Sequence, residues 1–144
     1  MPHNPILAPV AALVAWSLLM LIWVYLTRIP AMRRAGIDLK SRAGGRGKDL
    51  DGVVEDRVQW KSHNYNHLME QPTLFYAVAL SLAILGDSDP GTLGFAWAYV
   101  GLRVAHSLVQ STVNVVRYRF LLFALASAAL LLLTLRLIAL LIRG

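Results

Sequence analysis

The chain has 144 residues, of which 57% are hydrophobic and 15% charged, with a formal net charge of +6 and no cysteine. Soluble domains contain about 45–50% apolar and about 25% charged residues, so this composition excludes an ordinary soluble globular domain. The absence of cysteine excludes disulfides and cysteine-ligated metals, and any thiol chemistry must use a thiol that a ligand brings.

Four apolar blocks are long enough to cross a bilayer, which takes about 20 helical residues. They lie at about residues 6–26, 64–85, 93–116 and 120–142. The first block is too long for a secretory signal and has no basic region before it, so it is interpreted as a retained helix. The sequence therefore predicts an all-α, integral membrane four-helix bundle in which residues 1–144 form a single membrane domain.

The connectors between the blocks predict an orientation. The first, about residues 28–61, contains nine Lys or Arg against five Asp or Glu, and its glycine-rich stretch GIDLKSRAGGRGKDLDG is typical of a mobile loop. The second, GDSDPG, is a tight turn with two aspartates, whereas Arg117 and Arg119 mark the third. By the positive-inside rule the basic connectors are cytoplasmic and both termini lie outside, in the inner membrane if the protein is bacterial. The basic excess needs no nucleic-acid partner, and no motif for one is present.

Polar side chains interrupt the second and third blocks. In the second, the stretch HNYNHLMEQPTLFY places His63, His67 and Glu70 at steps of four and three, hence on one helical face. In the third, residues at steps of three or four form a polar stripe: Arg103, His106, Gln110, Asn114 and Arg117. Ionisable groups inside a span are costly and face a bundle interior, a cavity or a neighbouring subunit. We expect the two polar faces to meet in the cytoplasmic half of the membrane.

Several interpretations of these polar groups stay open on residue types alone. Glu70 and Arg103 could simply neutralise each other as a buried ion pair. Glu70 could serve as the proton site of a small drug antiporter, and His63, His67 and Glu70 could bind a metal. A haem between His67 and His106 is a further possibility. The residue types best fit a pocket for a small zwitterion or polyanion, with arginines receiving carboxylates and Glu70 receiving an ammonium group.

The order of these motifs resembles that of the MAPEG superfamily, the membrane-associated proteins in eicosanoid and glutathione metabolism. The resemblance covers the whole chain and rests on four spans, on Asn and Glu shortly before a proline and LFY, and on LRVAH followed by a basic pair. It implies a homotrimer that binds glutathione between subunits on the cytoplasmic side. It also implies a transferase or peroxidase for small lipophilic electrophiles, with the glutathione thiolate held near an arginine. The family includes non-catalytic lipid-binding members, so a lipid- or thiol-binding scaffold is the alternative.

The resemblance also implies roles for individual residues. The positions that match glutathione contacts are Asn64 or Asn66, Glu70, Arg103 and His106, and the matching catalytic arginine is Arg119, with Arg117 as its substitute. Two positions depart from the family pattern. The family usually has an arginine four residues before the asparagine, where this chain has Trp60 or Ser62, so Arg57 or Lys61 would serve instead. Gln110 stands where the family often has a tyrosine.

Overall fold

The computed structural model describes residues 3–38 and 44–143, so residues 39–43 of the predicted mobile connector lie outside the described part. Its secondary structure is helical throughout, with no strand among the described residues. A short 3-10 helix occupies Gly47–Leu50. The α-helices are α1 (Leu7–Arg34), α2 (Asp56–Leu68), α3 (Pro72–Ile84), α4 (Pro90–Thr112) and α5 (Val116–Arg143).

The second predicted span is two helices rather than one. Its first part, α2, begins before the apolar block and ends at Leu68, and α3 begins at Pro72. Proline has no N–H to donate and restricts the residue before it, so a regular helix ends ahead of it. The intervening residues make tighter turns, in which Met69 N–H donates to Asn66 O and Leu74 N–H to Gln71 O. The chain is therefore kinked next to Glu70 rather than reversed.

The first connector is shorter than the sequence predicted, and the third is shifted toward the N-terminus. Helix α1 continues through Pro30 to Arg34, and α2 already begins at Asp56, so the predicted 28–61 connector is helical at both ends. Helix α4 ends at Thr112 instead of residue 116, and α5 begins at Val116 instead of residue 120. Asn114 has a left-handed backbone, with φ 53°, and this conformation stops α4 and turns the chain. Arg117 consequently belongs to the first turn of α5.

Helix α4 lies at the centre of the packing, because it contacts α1, α2 and α5. The apolar core is built where α3, α4 and α5 meet, and Phe75 of α3 stacks on Tyr99 of α4 with ring centroids 4.5 Å apart. Leu13 of α1 and Leu133 of α5 are fully buried in the same core. A central α4 explains why its polar stripe is buried by the protein instead of facing outward.

Helices α1 and α5 are the two described helices that are long and apolar enough to cross a membrane. Each has 28 residues, about 42 Å of rise, against a hydrocarbon core of about 30 Å. Their outer faces carry exposed large apolar side chains, among them Leu19 and Leu26 on α1 and Leu121 and Leu131 on α5. An apolar outer surface of this kind suits lipid as the surrounding solvent.

At the end of the bundle that holds the α3–α4 connector, Asp87 joins three parts of the chain. Its carboxylate, 3% exposed, accepts hydrogen bonds from Arg136 Nε at 3.1 Å and Nη2 at 3.0 Å. It also accepts from the Thr92 hydroxyl at 3.0 Å, and its backbone carbonyl accepts from the Asn4 amide. The sequence predicted only a turn here, whereas the structure adds a bidentate ion pair to α5.

Candidate functional site

The polar stripe of α4 centres on Arg103, a fully buried guanidinium. Its Nη2 donates to the His67 carbonyl oxygen at 2.8 Å and lies 3.3 Å from His67 Nδ1. Its Nε and Nη1 are buried without a hydrogen-bond partner in the described chain, where no carboxylate lies within 4 Å of the guanidinium. A buried cation in this state is costly by itself and is a strong binding group for an anion.

His67 stands where Glu70 was expected to meet Arg103. A guanidinium only donates, so the His67 Nδ1 beside it acts as an acceptor and the ring proton belongs on Nε2. The Nε2 atom lies 3.8 Å from Glu70 Oε2, whose side chain is 67% exposed. The direct Glu70–Arg103 ion pair considered from sequence is therefore not formed. The reason is the end of α2 at Leu68, which carries Glu70 off the helical face that His67 occupies.

His106 lies one turn beyond Arg103 and stacks on His67, with ring centroids 5.1 Å apart and planes at 16°. Phe123 of α5 covers both rings, at 5.5 Å from His67 and 6.3 Å from His106. Its ring also lies 6.0 Å from the Arg103 guanidinium carbon. The histidines thus form an aromatic wall beside the buried cation.

Arg119 is a second cationic side chain next to the two histidine rings. Because α5 begins at Val116, Arg119 lies in its first turn, where Nη1 donates to Asn114 Oδ1 at 2.7 Å and Nε is buried without a partner. A cavity of about 190 Å³ separates Arg119 from the histidines. Its lining is His67, His106, Val116, Arg119, Phe120 and Phe123. The cavity therefore has one cationic side, one imidazole side and apolar rings.

Asn64 lies outside the cavity, in the contact between α2 and α4. It is fully buried, and its Nδ2 donates to the Ser107 hydroxyl at 2.6 Å, which joins α2 to α4. Asn64 Oδ1, Gln110 Oε1 and Ser111 Oγ are buried without partners in the described chain. The contact between α2 and α4 therefore remains polar beyond the cavity. Asn64 positions α2 against α4 and does not line the cavity.

The structure brings some of the predicted residues together and leaves others apart. Arg103, His106 and Arg119 lie around His67. Glu70 lies at the edge of this group, where its Oε2 is 3.8 Å from His67 Nε2. Three predicted site residues are exposed and lie outside this group: Asn66, Arg57 and Arg117. The five-residue stripe predicted for the third span is also interrupted, since Asn114 belongs to the connector and Arg117 to α5.

His67 and Phe123 also belong to the cluster, but the predicted glutathione site does not include them. The spacing to Glu70 had singled out His67, but as a metal or haem ligand. Phe123 sits in a run of leucines and alanines and gives no signal of its own in the sequence. Only the packing of α5 on α4 shows that its ring faces the histidines.

The metal and haem alternatives do not match this geometry. His63 Nε2 lies 3.7 Å from Asp51 Oδ1, away from His67, and no group of three potential ligands occurs among residues 3–38 and 44–143. The rings of His67 and His106 are in face-to-face contact, which leaves no space between them for a haem.

Asn114 allows its backbone and side-chain roles to be separated. We expect Asn114→Ala to destabilise the protein by about 1–2 kcal/mol, because alanine is strained in the left-handed region. Asn114→Gly should melt close to the wild type, because glycine tolerates this backbone, yet it removes the acceptor that holds Arg119. Thermal melts in detergent test this order, and equal melting of the Ala and Gly variants would contradict it.

Comparison with known proteins gives one match. The model of the MAPEG family matches residues 6–139, nearly the whole chain. Neither a curated protein nor a solved structure shows significant similarity to it. The family match confirms the resemblance predicted from the polar second span and the LRVAH motif, and agrees with two helices able to cross a membrane. The chain therefore belongs to the MAPEG family, a membrane protein family of glutathione and eicosanoid metabolism.

Proposed function

We propose that this protein is a membrane-bound glutathione-dependent transferase or peroxidase that acts on lipophilic electrophiles. The observation that carries the proposal is the buried Arg103 guanidinium beside the His67–His106 stack and Arg119, with two donor atoms that no described residue accepts from and no carboxylate of residues 3–38 and 44–143 within 4 Å. One arginine lines the cavity and a second, Arg103, contacts its lining residue His67, and this concentration of positive charge favours an anionic ligand. Membership of the MAPEG family makes glutathione the anion to test first.

The residues present fit the charged groups of glutathione. The unpartnered Arg103 Nε and Nη1 are charged donors that suit the oxygens of a carboxylate. Glu70, exposed at the kink between α2 and α3, suits an ammonium group. Arg119 lines the cavity together with the two histidines, and its positive charge there favours a thiolate over a thiol. Bound glutathione would supply the nucleophilic or reducing sulfur that a chain without cysteine lacks.

The size of the cavity supports a site shared between subunits. Its volume of about 190 Å³ is below the range of about 300–1,000 Å³ that is usual for small-molecule sites. We infer that the protein is a homotrimer and that a neighbouring subunit completes the pocket. Exposed Asn66, Arg57 and Arg117 are available to such a neighbour. Lipophilic substrates would then reach the thiolate from the bilayer through the interface.

The distribution of charge supports a multi-pass topology. Both basic connectors lie at the end of the bundle where α1, α4 and the Arg119 cavity end, and Asp87 and Asp89 lie at the other end. We therefore place the basic connectors in the cytoplasm and both termini outside. In this orientation the cavity opens toward the water-soluble cofactor.

One observation favours the non-catalytic scaffold as a second candidate. Gln110 is buried on α4 at the position where the family often has a tyrosine, and it offers no hydroxyl to the cavity. Tyr118, the tyrosine between the two arginines, is 55% exposed. A thiol- or lipid-binding protein of the same family would need only the residues that bind the ligand and no residue that catalyses a reaction.

The decisive experiment measures glutathione binding and turnover on the purified protein in detergent. We expect saturable binding and glutathione-dependent conversion of a generic aromatic electrophile or a lipid hydroperoxide. Arg119→Gln should lower turnover by at least about tenfold, as expected when a positioned electrostatic group is removed. Arg143→Gln, the same change at the far end of α5, is the matched control. Binding without turnover would support a thiol-binding scaffold, and no binding at millimolar glutathione would exclude both the enzyme and the thiol-binding scaffold.

A further inference from the structure

A second cavity lies between α1 and the glycine-rich connector that follows it. Its volume is about 420 Å³, within the range of small-molecule sites, and it shares no lining residue with the Arg119 cavity. Half of its twelve lining residues have large apolar side chains: Val24, Tyr25, Ile29, Met32, Ile37 and Leu50. The polar part is formed by Arg28, Arg46, Asp49 and glycines of the GGRG stretch.

Arg28 supplies the cationic corner of this cavity. Its Nη1 donates to the Ser62 hydroxyl at 2.8 Å and its Nη2 to the Gly47 carbonyl at 3.3 Å. Both acceptors are neutral, and no carboxylate of the described chain lies within 4 Å. A guanidinium has five N–H donors, and three of those of Arg28 are not used by any residue that the structure describes. Asp49 also lines the cavity, but its carboxylate is turned to the Arg46 backbone N–H at 2.8 Å.

The glycines keep this corner open. A Cβ atom on Gly47 would lie 3.3 Å from Arg28 Nη2, so a side chain there would displace the guanidinium. Gly44 has φ +63°, a backbone conformation that L side chains rarely adopt. Gly47 therefore leaves space beside Arg28, whereas Gly44 allows the backbone turn of the connector.

The cavity adjoins the outer surface of α1 near the end of its apolar span. Tyr25 and Ile29 line the cavity and are also exposed on the helix, next to Leu26, which is 69% exposed. Trp23 lies under the Lys61 ammonium at 5.1 Å from its ring centroid. Tryptophan, tyrosine and lysine together are typical of the membrane–water interface. A ligand here would have its polar end in the interface and its apolar part against the lipid-facing side of α1.

We propose that this cavity binds one acidic membrane lipid, with its phosphate at Arg28 and an acyl chain along Tyr25, Ile29 and Met32. The excess of basic residues in the connector favours an anionic headgroup over a zwitterionic one. The apolar lining favours a lipid over a soluble anion. This site is separate from the proposed glutathione site, and its occupant would fix the connector against α1.

The test is native mass spectrometry of the purified full chain with added phosphatidylglycerol or phosphatidylcholine of identical acyl chains. We expect one retained phosphatidylglycerol and a preference over phosphatidylcholine of about five- to thirtyfold, as one or two interfacial charges provide. Arg28→Gln should abolish this preference. Met32→Trp should also abolish it, by filling the cavity while leaving the Arg28 hydrogen bonds intact. Ile29→Trp replaces Met32→Trp if that variant fails to fold.

Arg33→Gln is the matched control, because Arg33 is an exposed arginine of the same helix outside the cavity lining. It should keep the preference for phosphatidylglycerol. Equal retention of the two lipids by the wild type would overturn the proposal. So would a preference that survives in Arg28→Gln and Met32→Trp but is lost in Arg33→Gln, since surface charge alone would then explain it. Displacement of the lipid by inorganic phosphate would point to a soluble anion and also overturn it.

Discussion

Arg103→Met is expected to abolish glutathione binding while leaving the melting temperature of the ligand-free protein unchanged or raised. In the free protein the guanidinium is buried without a carboxylate, and replacing such a charge by an apolar side chain of similar length is often neutral or stabilising. In the complex the same change removes a buried charged hydrogen-bonding group, which typically costs about 2–5 kcal/mol and lowers affinity by at least about thirtyfold. Thermal melts with and without glutathione measure both effects.

Arg143→Met is the control for this experiment, because it removes an exposed arginine outside the cluster. It should keep the full stabilisation by glutathione. Arg103→Lys should retain only part of the binding, since an ammonium cannot form the bidentate contact. Undiminished glutathione affinity in Arg103→Met would show that the buried guanidinium is not the anion site. A large loss of stability without ligand would show that Arg103 is structural instead.

Asp87→Ala is expected to cause the largest loss of stability among the connector residues. The change removes an acceptor that holds Arg136 through two hydrogen bonds and Thr92 through a third. Because Arg136 is partly exposed and water can replace its partner, we expect a loss of about 2 kcal/mol, near the lower end for charged hydrogen bonds. The melting temperature should fall by about 4–8 °C. Asp89→Ala, which removes only the N-cap of α4, should cost about 1 kcal/mol.

The same residue predicts a dependence on pH. The hydrogen bonds from Arg136 hold the pKa of the Asp87 carboxyl below its usual value, against the opposing effect of burial. Since the pKa is depressed in the folded state, the stabilisation is fully present above the ordinary aspartate pKa of about 3.9. It is lost as the pH falls from there through the folded value. The difference in melting temperature between wild type and Asp87→Ala should therefore be constant near neutral pH and shrink in acid. A difference that grows in acid would contradict this role.

The apolar blocks in the sequence predicted where helices would form but not where their backbones would end. Hydropathy continues through Val113, Val115 and Val116, so it predicted one helix up to residue 116. The left-handed backbone of Asn114 ends α4 earlier and starts a new helix, which moves Arg117 and Arg119 onto α5. Hydropathy is equally blind to the kink before Pro72, because that break depends on a missing N–H.

The sequence predicted which polar residues of α4 are buried together better than it predicted the residues that they contact. Arg103 and His106 are on one face of α4, as their spacing predicted, and both are buried. The partner on the other helix was expected to be Glu70, but it is His67, since the rotation of α2 about its axis and its end at Leu68 decide which side chain reaches Arg103. The Asp87–Arg136 ion pair joins residues 49 positions apart, so no local pattern predicts it.

We propose that the cationic cluster of Arg103 and Arg119 binds glutathione as a thiolate. It is tested most directly by titrating glutathione into the wild-type protein in detergent and following the ultraviolet absorbance of the thiolate. We expect a saturable thiolate signal at neutral pH that is absent in Arg103→Met. When the pH is varied with glutathione bound, the midpoint of thiolate formation should lie below the free-thiol pKa of about 8.5. No saturable signal at millimolar glutathione, or a thiolate midpoint equal to that of free glutathione, would contradict it.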